Sequence, residues 1–268
     1  FLLLALAEMY RATREEIYRE EAIALLNLIE QFISEPELLG RPILPGARAT
    51  RNLAIPMIYL NLIEEMDGIL DEEDLKVKRE SSIHETLAHL DPDLKVFREN
   101  LDENGFFNDL PEGRLINPGH SIEACWFLLH AAGRCELPEI WVTILEALQG
   151  SLSLGWDHDE DGLFYFIDAD GKPPRQLEWS MKLWWPHTEA LYALALAFTL
   201  TGDHSFEQWH QRIHEYAFTR FADEVDGEWF GYCDRYGKVT HRLKGGDYKG
   251  CFHVPRALLY TVKVLERL

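Results

Sequence analysis

An all-α fold, built from helical hairpins set in a ring, is predicted by three observations on this sequence. Apolar residues recur at three- and four-residue steps through long segments bounded by Pro, Gly and Asp. Those segments come in pairs. The first member of each of the last three pairs opens on similar text: Asn117-Pro118-Gly119-His120, Trp185-Pro186-His187-Thr188 and Cys251-Phe252-His253-Val254-Pro255, with histidines 67 and 66 residues apart. A repeat of that length is too long for the common open solenoids. It suits a closed ring of hairpins whose inner helices aim their N-termini at one mouth.

Residues 1–12 and 15–34 read as the first pair, 50–66 and 71–90 as the second, 119–133 and 136–150 as the third, and 187–201 and 204–222 as the fourth. Residues 252–267 begin a fifth. Between pairs lie Gly/Asp-aromatic segments, Asn104-Gly105-Phe106-Phe107, Asp161-Gly162-Leu163-Phe164-Tyr165-Phe166 and Asp226-Gly227-Glu228-Trp229-Phe230, each reading as a turn or short hairpin. Six hairpins at this period need roughly 400 residues. Residues 1–268 are therefore expected to form one domain of about four and a half of six hairpins, with about one and a half pairs preceding Phe1. Phe1 is not an initiator methionine, and no capping residue precedes the apolar run Leu2-Leu3-Leu4. Leu2, Leu3, Leu4 and Leu6 are accordingly expected to leave apolar surface exposed on residues 1–12.

Composition narrows the function classes. With 47% hydrophobic residues the chain can bury a large core, and it contains no run of 18 or more apolar residues to span a membrane. A formal charge of −20 repels phosphate backbones and anionic lipid, so neither nucleic acid nor membrane is an expected partner. Cys125, Cys135, Cys233 and Cys251 show neither a CxxC pair nor regular spacing. That pattern predicts free thiols in a reducing compartment, the cytoplasm, and no zinc site. HExxH is absent, as are a GxSxG elbow and any dinucleotide fingerprint, and no metal is expected.

Three stretches carry candidate chemistry. In Asn117-Pro118-Gly119-His120-Ser121-Ile122-Glu123, a Pro-Gly turn feeds a helix that sets His120 and Glu123 three apart on one face, where a carboxylate can orient an imidazole. The structural alternative is a helix start capped by Ser121 with a core histidine. The stretch from Gln176 to Glu189 holds Glu178, Lys182, Trp184, Trp185, His187 and Glu189, a mixture of flat indoles for sugar ring faces and polar groups for hydroxyls. Its alternative is packed indoles beside a Glu178–Lys182 surface pair. A glycine-rich approach, Lys244 to Gly250, leads to Cys251, His253 and Arg256. By the repeat, His120, His187 and His253 all start inner helices and converge on the mouth. His158, in Asp157-His158-Asp159-Glu160-Asp161, reads as part of an acidic surface loop.

Together these stretches resemble the N-acylglucosamine 2-epimerase family, which includes animal members also called renin-binding protein. The resemblance runs over essentially the whole chain: NPGH with Glu123, GWD at Gly155 to Asp157, DGLFYF with DADG at Asp168 to Gly171, QLEWSMKLWWPH with Glu189, GEWFGY at Gly227 to Tyr232, and KGCFHVPR at Lys249 to Arg256. It implies an (α/α)6 barrel that interconverts N-acetylglucosamine and N-acetylmannosamine, with His120 and His253 matching the acid/base pair and Glu123 and Glu189 matching pocket carboxylates. It also implies activation by ATP or another nucleotide that is not consumed, and a homodimer. Cys251 matches a position linked to activity in the animal enzymes. The family's first inner helices, with a pocket arginine, have no counterpart in these residues.

Inversion at carbon 2 of an open-chain aldose needs one group to remove the proton and another to return it from the opposite face. Histidine, with an ordinary pKa of about 6.5, serves both roles near neutrality. The expected geometry is His120 and His253 facing each other roughly 6 to 8 Å apart across an open space, and not beyond the about 12 Å at which no one carbon serves both. Glu123 and Glu189 should border that space, Trp184 and Trp185 should wall it, and Glu178, Lys182, His187 and Arg256 should bind substrate. A cellobiose 2-epimerase, an aldose-ketose isomerase, a glycoside hydrolase and a non-catalytic binding protein are the rival readings.

Overall fold

The computed structural model describes residues 1–40, 46 and 48–268. Nine α-helices are found among the described residues: α1 (Leu2–Thr13), α2 (Glu16–Ser34), α3 (Ala54–Glu65), α4 (Glu72–Leu87), α5 (Pro118–Arg134), α6 (Trp141–Gly155), α7 (Trp184–Thr201), α8 (His204–Arg220) and α9 (His253–Leu265). The odd-numbered helices pack on one another in chain order, and each even-numbered helix through α8 lies against the odd one before it. Two concentric layers result, as the paired periodicity predicts.

Local chemistry sets the helix ends. Asp71, Asn117 and Asp203 each accept a hydrogen bond from an amide in the turn they precede, and Gly202 closes α7 in the left-handed region at φ 68°. Asn117, rather than Ser121, is thus the cap of α5. The Ser121 hydroxyl instead lies 2.6 Å from that of Ser151 on α6 and accepts from the Phe97 amide at 2.9 Å.

Among the described residues, eight short strands stitch the loops in antiparallel pairs: β1 (Thr50–Asn52) with β4 (Asn100–Asp102), β2 (Leu90–Asp91) with β3 (Val96–Phe97), β5 (Leu115–Ile116) with β6 (Ile167–Asp168), and β7 (Lys182–Leu183) with β8 (Tyr232–Cys233). The sequence predicted local turns between pairs, and tight ones exist, with bridges Trp156 to Leu163 and Ala222 to Trp229. Three of the four strand pairs, however, join different loops. Pairing over such distances leaves no local signature, yet it binds neighbouring loops into one continuous rim.

Burial follows position in the layers. Central α7 is buried from Trp184 through Ala197, because helices flank it on both sides and α8 covers its back. Such a helix has no use for a polar face. On α1, Leu3 and Leu6 are buried, Leu4 faces the central cavity, and Phe1 and Leu2 are exposed. Apolar surface is thus exposed on residues 1–12, at Phe1, Leu2 and Met9, while the hairpin with α2 and the contact with α3 cover Leu3 and Leu6. The Phe1 ring meets Phe252, just ahead of α9, edge-on at 4.8 Å. No helix among the described residues is long and apolar enough to cross a membrane.

Candidate active site

The N-terminal ends of α5, α7 and α9 surround a cavity of about 700 Å³, whose lining includes His120, Glu123, Glu178, Trp184, Trp185, His253 and Arg256. Helical spacing explains the selection. On α5, His120, Glu123 and Phe127 succeed one another at steps of three and four and so share the inner face. On α7, Trp184 and Trp185 take the inward positions. His187 follows Trp185 by two residues, about 200° around the helix. That rotation carries it outward.

His187 is fully buried against α8, stacked on Tyr216 at 5.0 Å, with Nδ1 at 2.6 Å from the Leu183 carbonyl and Nε2 accepting from the Leu163 amide at 3.0 Å. Burial pushes its pKa down to about 3, so it is a neutral structural ring that does not reach the cavity. Lys182 is likewise misplaced by the sequence reading. Its ammonium donates to Asp157 at 3.0 Å and to the Gly162 carbonyl at 3.1 Å, 3.9 Å above the Phe164 ring, and it makes no surface pair with Glu178. Asp157, predicted on an acidic surface loop, is buried beneath that loop and also accepts from Arg235 at 2.8 and 3.0 Å. His158 beside it is exposed. Cys251 is exposed, with a free thiol, and does not line the cavity.

The two remaining helix-start histidines are built alike. His253 Nδ1 lies 2.7 Å from Glu189, and His120 Nδ1 lies 2.9 Å from Glu99. A carboxylate only accepts, so each Nδ1 carries the proton and each Nε2 is left for the cavity. Glu99, and not Glu123, is thus the partner of His120. It stands ahead of β4, in an irregular segment fixed by backbone bonds to Leu115 and Leu53, and no spacing in the sequence relates it to a histidine 21 positions on.

Both imidazoles pack on Trp185, with ring centroids 5.1 Å from it for His120 and 5.8 Å for His253. Their centroids can be no farther apart than those two distances together, inside the limit of about 12 Å for serving one carbon. The indole gains its place from Gly119, where a Cβ would lie 2.6 Å from the Trp185 ring and 2.9 Å from Pro186.

Charge is organised around Arg256. Its guanidinium donates to Glu123 at 2.9 Å and to Glu189 at 2.7 Å, and the Trp126 indole N–H donates to Glu189 at 3.0 Å. Burial opposes ionisation of Glu189, but Arg256 and His253 outweigh it and hold the carboxyl well below its ordinary range. Burial and the neighbouring Glu189 charge push Glu123 upward. For His120, burial disfavours the charged ring, and the Glu99 carboxylate more than offsets it, so the pKa stands above the ordinary histidine value. Glu123, Glu189 and His253 bring possible ligand atoms within 4.8 Å of one another, the one such group among the described residues. Arg256 already supplies the cation between the two carboxylates.

Replacing Glu99 with Gln removes the charge that raises His120. The His120 imidazole should therefore titrate at lower pH, as read from its ring protons by NMR. An unmoved titration would assign Glu99 a packing role only.

Fold and cavity together define a helical toroid of the (α/α)6 type with two carboxylate-backed imidazoles at its mouth. The profile of N-acylglucosamine 2-epimerase (GlcNAc 2-epimerase) matches residues 81–257, and the chain belongs to that family. It is 42% identical over 275 residues to the N-acylglucosamine 2-epimerase of Mus musculus, covering 100% of this chain and 65% of the mouse protein. The Homo sapiens protein of the same name is also 42% identical, with 100% and 64% covered. The chain thus spans just under two thirds of the length of these relatives. Among solved structures, a D-mannose isomerase superposes with a TM-score of 0.82 at 16% identity, over 99% of this chain and 70% of the other. The cellobiose 2-epimerase of Bacillus thermoamylovorans B4167 gives 0.79 at 20%, over 100% and 70%. At those identities the likeness is one of fold.

Proposed function

We propose that this cavity inverts carbon 2 of an N-acylated aminohexose, interconverting N-acetylglucosamine and N-acetylmannosamine. The observation that carries the reading is the pair of imidazoles, each with Nδ1 on a buried carboxylate and Nε2 left for one cavity. In the open-chain sugar, the carbon 2 proton is acidified by the neighbouring aldehyde. One neutral imidazole takes that proton through Nε2, leaving a planar enolate with its charge on the carbon 1 oxygen, and the other, as imidazolium, returns a proton to the opposite face. His120 and His253 fill these two roles, and the direction of reaction decides which is base. Trp184 and Trp185 wall the sugar, Glu178 at the rim meets its hydroxyls, and Arg256 keeps Glu189 ionised behind His253.

The family resemblance supports activation by ATP or another nucleotide, proton transfer that needs no cofactor, assembly as a homodimer, and an influence of Cys251 on activity. The cysteine pattern supports a cytoplasmic location, and the repeat of about 66 residues supports reading the nine helices among the described residues as four and a half hairpins of a six-hairpin barrel.

The test is incubation with N-acetylmannosamine in deuterated water, with and without ATP, read by NMR. N-acetylglucosamine carrying deuterium at carbon 2 is expected. With mannose in its place, a ketose product would mean that the proton returns to carbon 1, the isomerase outcome, and the absence of both conversion and exchange of N-acetylmannosamine in either condition would remove the proposal.

A further inference from the structure

Asn61 has no role in the chemistry above and no role in the fold. It lies on α3 with Ile58 and Leu62, at steps of three and four, and this face lines the same cavity. The residue is largely buried, and the part that stays accessible faces the cavity, where its carboxamide makes no hydrogen bond to the described residues. The same lining includes the apolar Leu4, Ile58, Leu62 and Phe127. An asparagine inside a helix is a weaker helix former than alanine or leucine, so local folding does not favour this residue here. Unpaired polar groups in apolar pockets are the ones that orient ligands.

Its position fits one part of the proposed substrate. Phe127 is seven residues beyond His120 on the same face of α5, and α3 packs directly on α5. Asn61 thus sits beside the wall that descends from the acid/base pair. The substituent at the reacting carbon of an N-acylated aminohexose is an amide ending in a methyl group. A carboxamide complements an amide, donating to its carbonyl or accepting from its N–H, and the surrounding aliphatic and aromatic side chains complement the methyl. We infer that Asn61 is the specificity-determining residue that recognises the N-acyl amide, with Leu62 and Phe127 enclosing the acyl methyl. This rests on the epimerase reading, and it adds why the site would prefer an acylated amino sugar to the parent hexose.

The experiment compares the protein with its Asn61→Ala and Asn61→Leu variants. It measures kcat/KM for exchange of the carbon 2 proton with deuterated solvent, using N-acetylmannosamine and mannose, which has no amide. Loss of a hydrogen bond to a buried amide should lower kcat/KM for N-acetylmannosamine by about 10- to 100-fold while leaving mannose within about twofold. Equal losses on both sugars, or none on either, would overturn the assignment. Thermal unfolding of both variants separates a misfolded variant from an altered preference, and Asn61→Gln, which keeps the amide, should retain part of the discrimination. Should the unaltered protein exchange neither sugar, the epimerase reading itself fails, an outcome distinct from unchanged discrimination in the variants.

Discussion

His120→Ala and His253→Ala are each expected to lower epimerisation by about 10²- to 10⁴-fold, the usual worth of a positioned proton-transfer group, because inversion needs both. They should differ in every other respect. Removing His253 leaves Glu189 with Arg256 and Trp126, so its carboxylate stays paired and stability should change little. Removing His120 strips buried Glu99 of its imidazole, and a cost of about 1–3 kcal/mol is expected in denaturant unfolding. A variant that no longer epimerises but still exchanges the carbon 2 proton identifies its surviving histidine as the base for that sugar. Near-normal epimerisation in both variants would exclude the pair.

Asp157→Ala should be the most destabilising single change. It leaves Lys182 fully buried without its carboxylate and removes two hydrogen bonds from Arg235, and breaking a buried ion pair on one side costs about 3–5 kcal/mol. For a chain of this size that corresponds to a melting temperature lower by roughly 2–4 °C per kcal/mol. Burial alone would raise the Asp157 pKa, but the hydrogen bonds from Arg235 and Lys182 hold it well below the ordinary carboxyl value. A depressed folded-state pKa contributes stability above the unfolded value of about 3.9, and that contribution is lost as pH falls through the folded value. The gap in stability between the two proteins should therefore be constant from neutrality to about pH 5 and narrow on further acidification. A gap below about 1 kcal/mol at pH 7 would show that Lys182 finds another partner or water.

Much of this site could be read from the chain because its parts lie on helices whose phase the text reveals. His120 with Glu123, and His253 with Arg256, are three apart, and each pair reaches the cavity. The reading of His187 went wrong on helix phase: WWPH resembles the other helix starts, but α7 begins three residues ahead of its histidine and α9 begins on its own. A difference of that size turns a side chain from the mouth to the outer layer. Glu99, Asp157 and Asn61 were out of reach for another reason. Their partners or surroundings come from distant segments, and loop-to-loop strand pairs and inter-helix packing have no periodicity to betray them.

The contact of Trp185 with both imidazoles has a consequence for how such a site can change. The two imidazoles belong to helices on either side of α7, and the rim loops between those helices are long and irregular. Because one indole, seated on a residue without a side chain, lies against each ring, their spacing is gauged by a rigid part and not by loop length. Insertions or substitutions along the rim can therefore alter what the mouth admits while the gauge stays the same. A change at Gly119 or Trp185 would instead reset the distance between the two rings, and with it the reaction on any sugar.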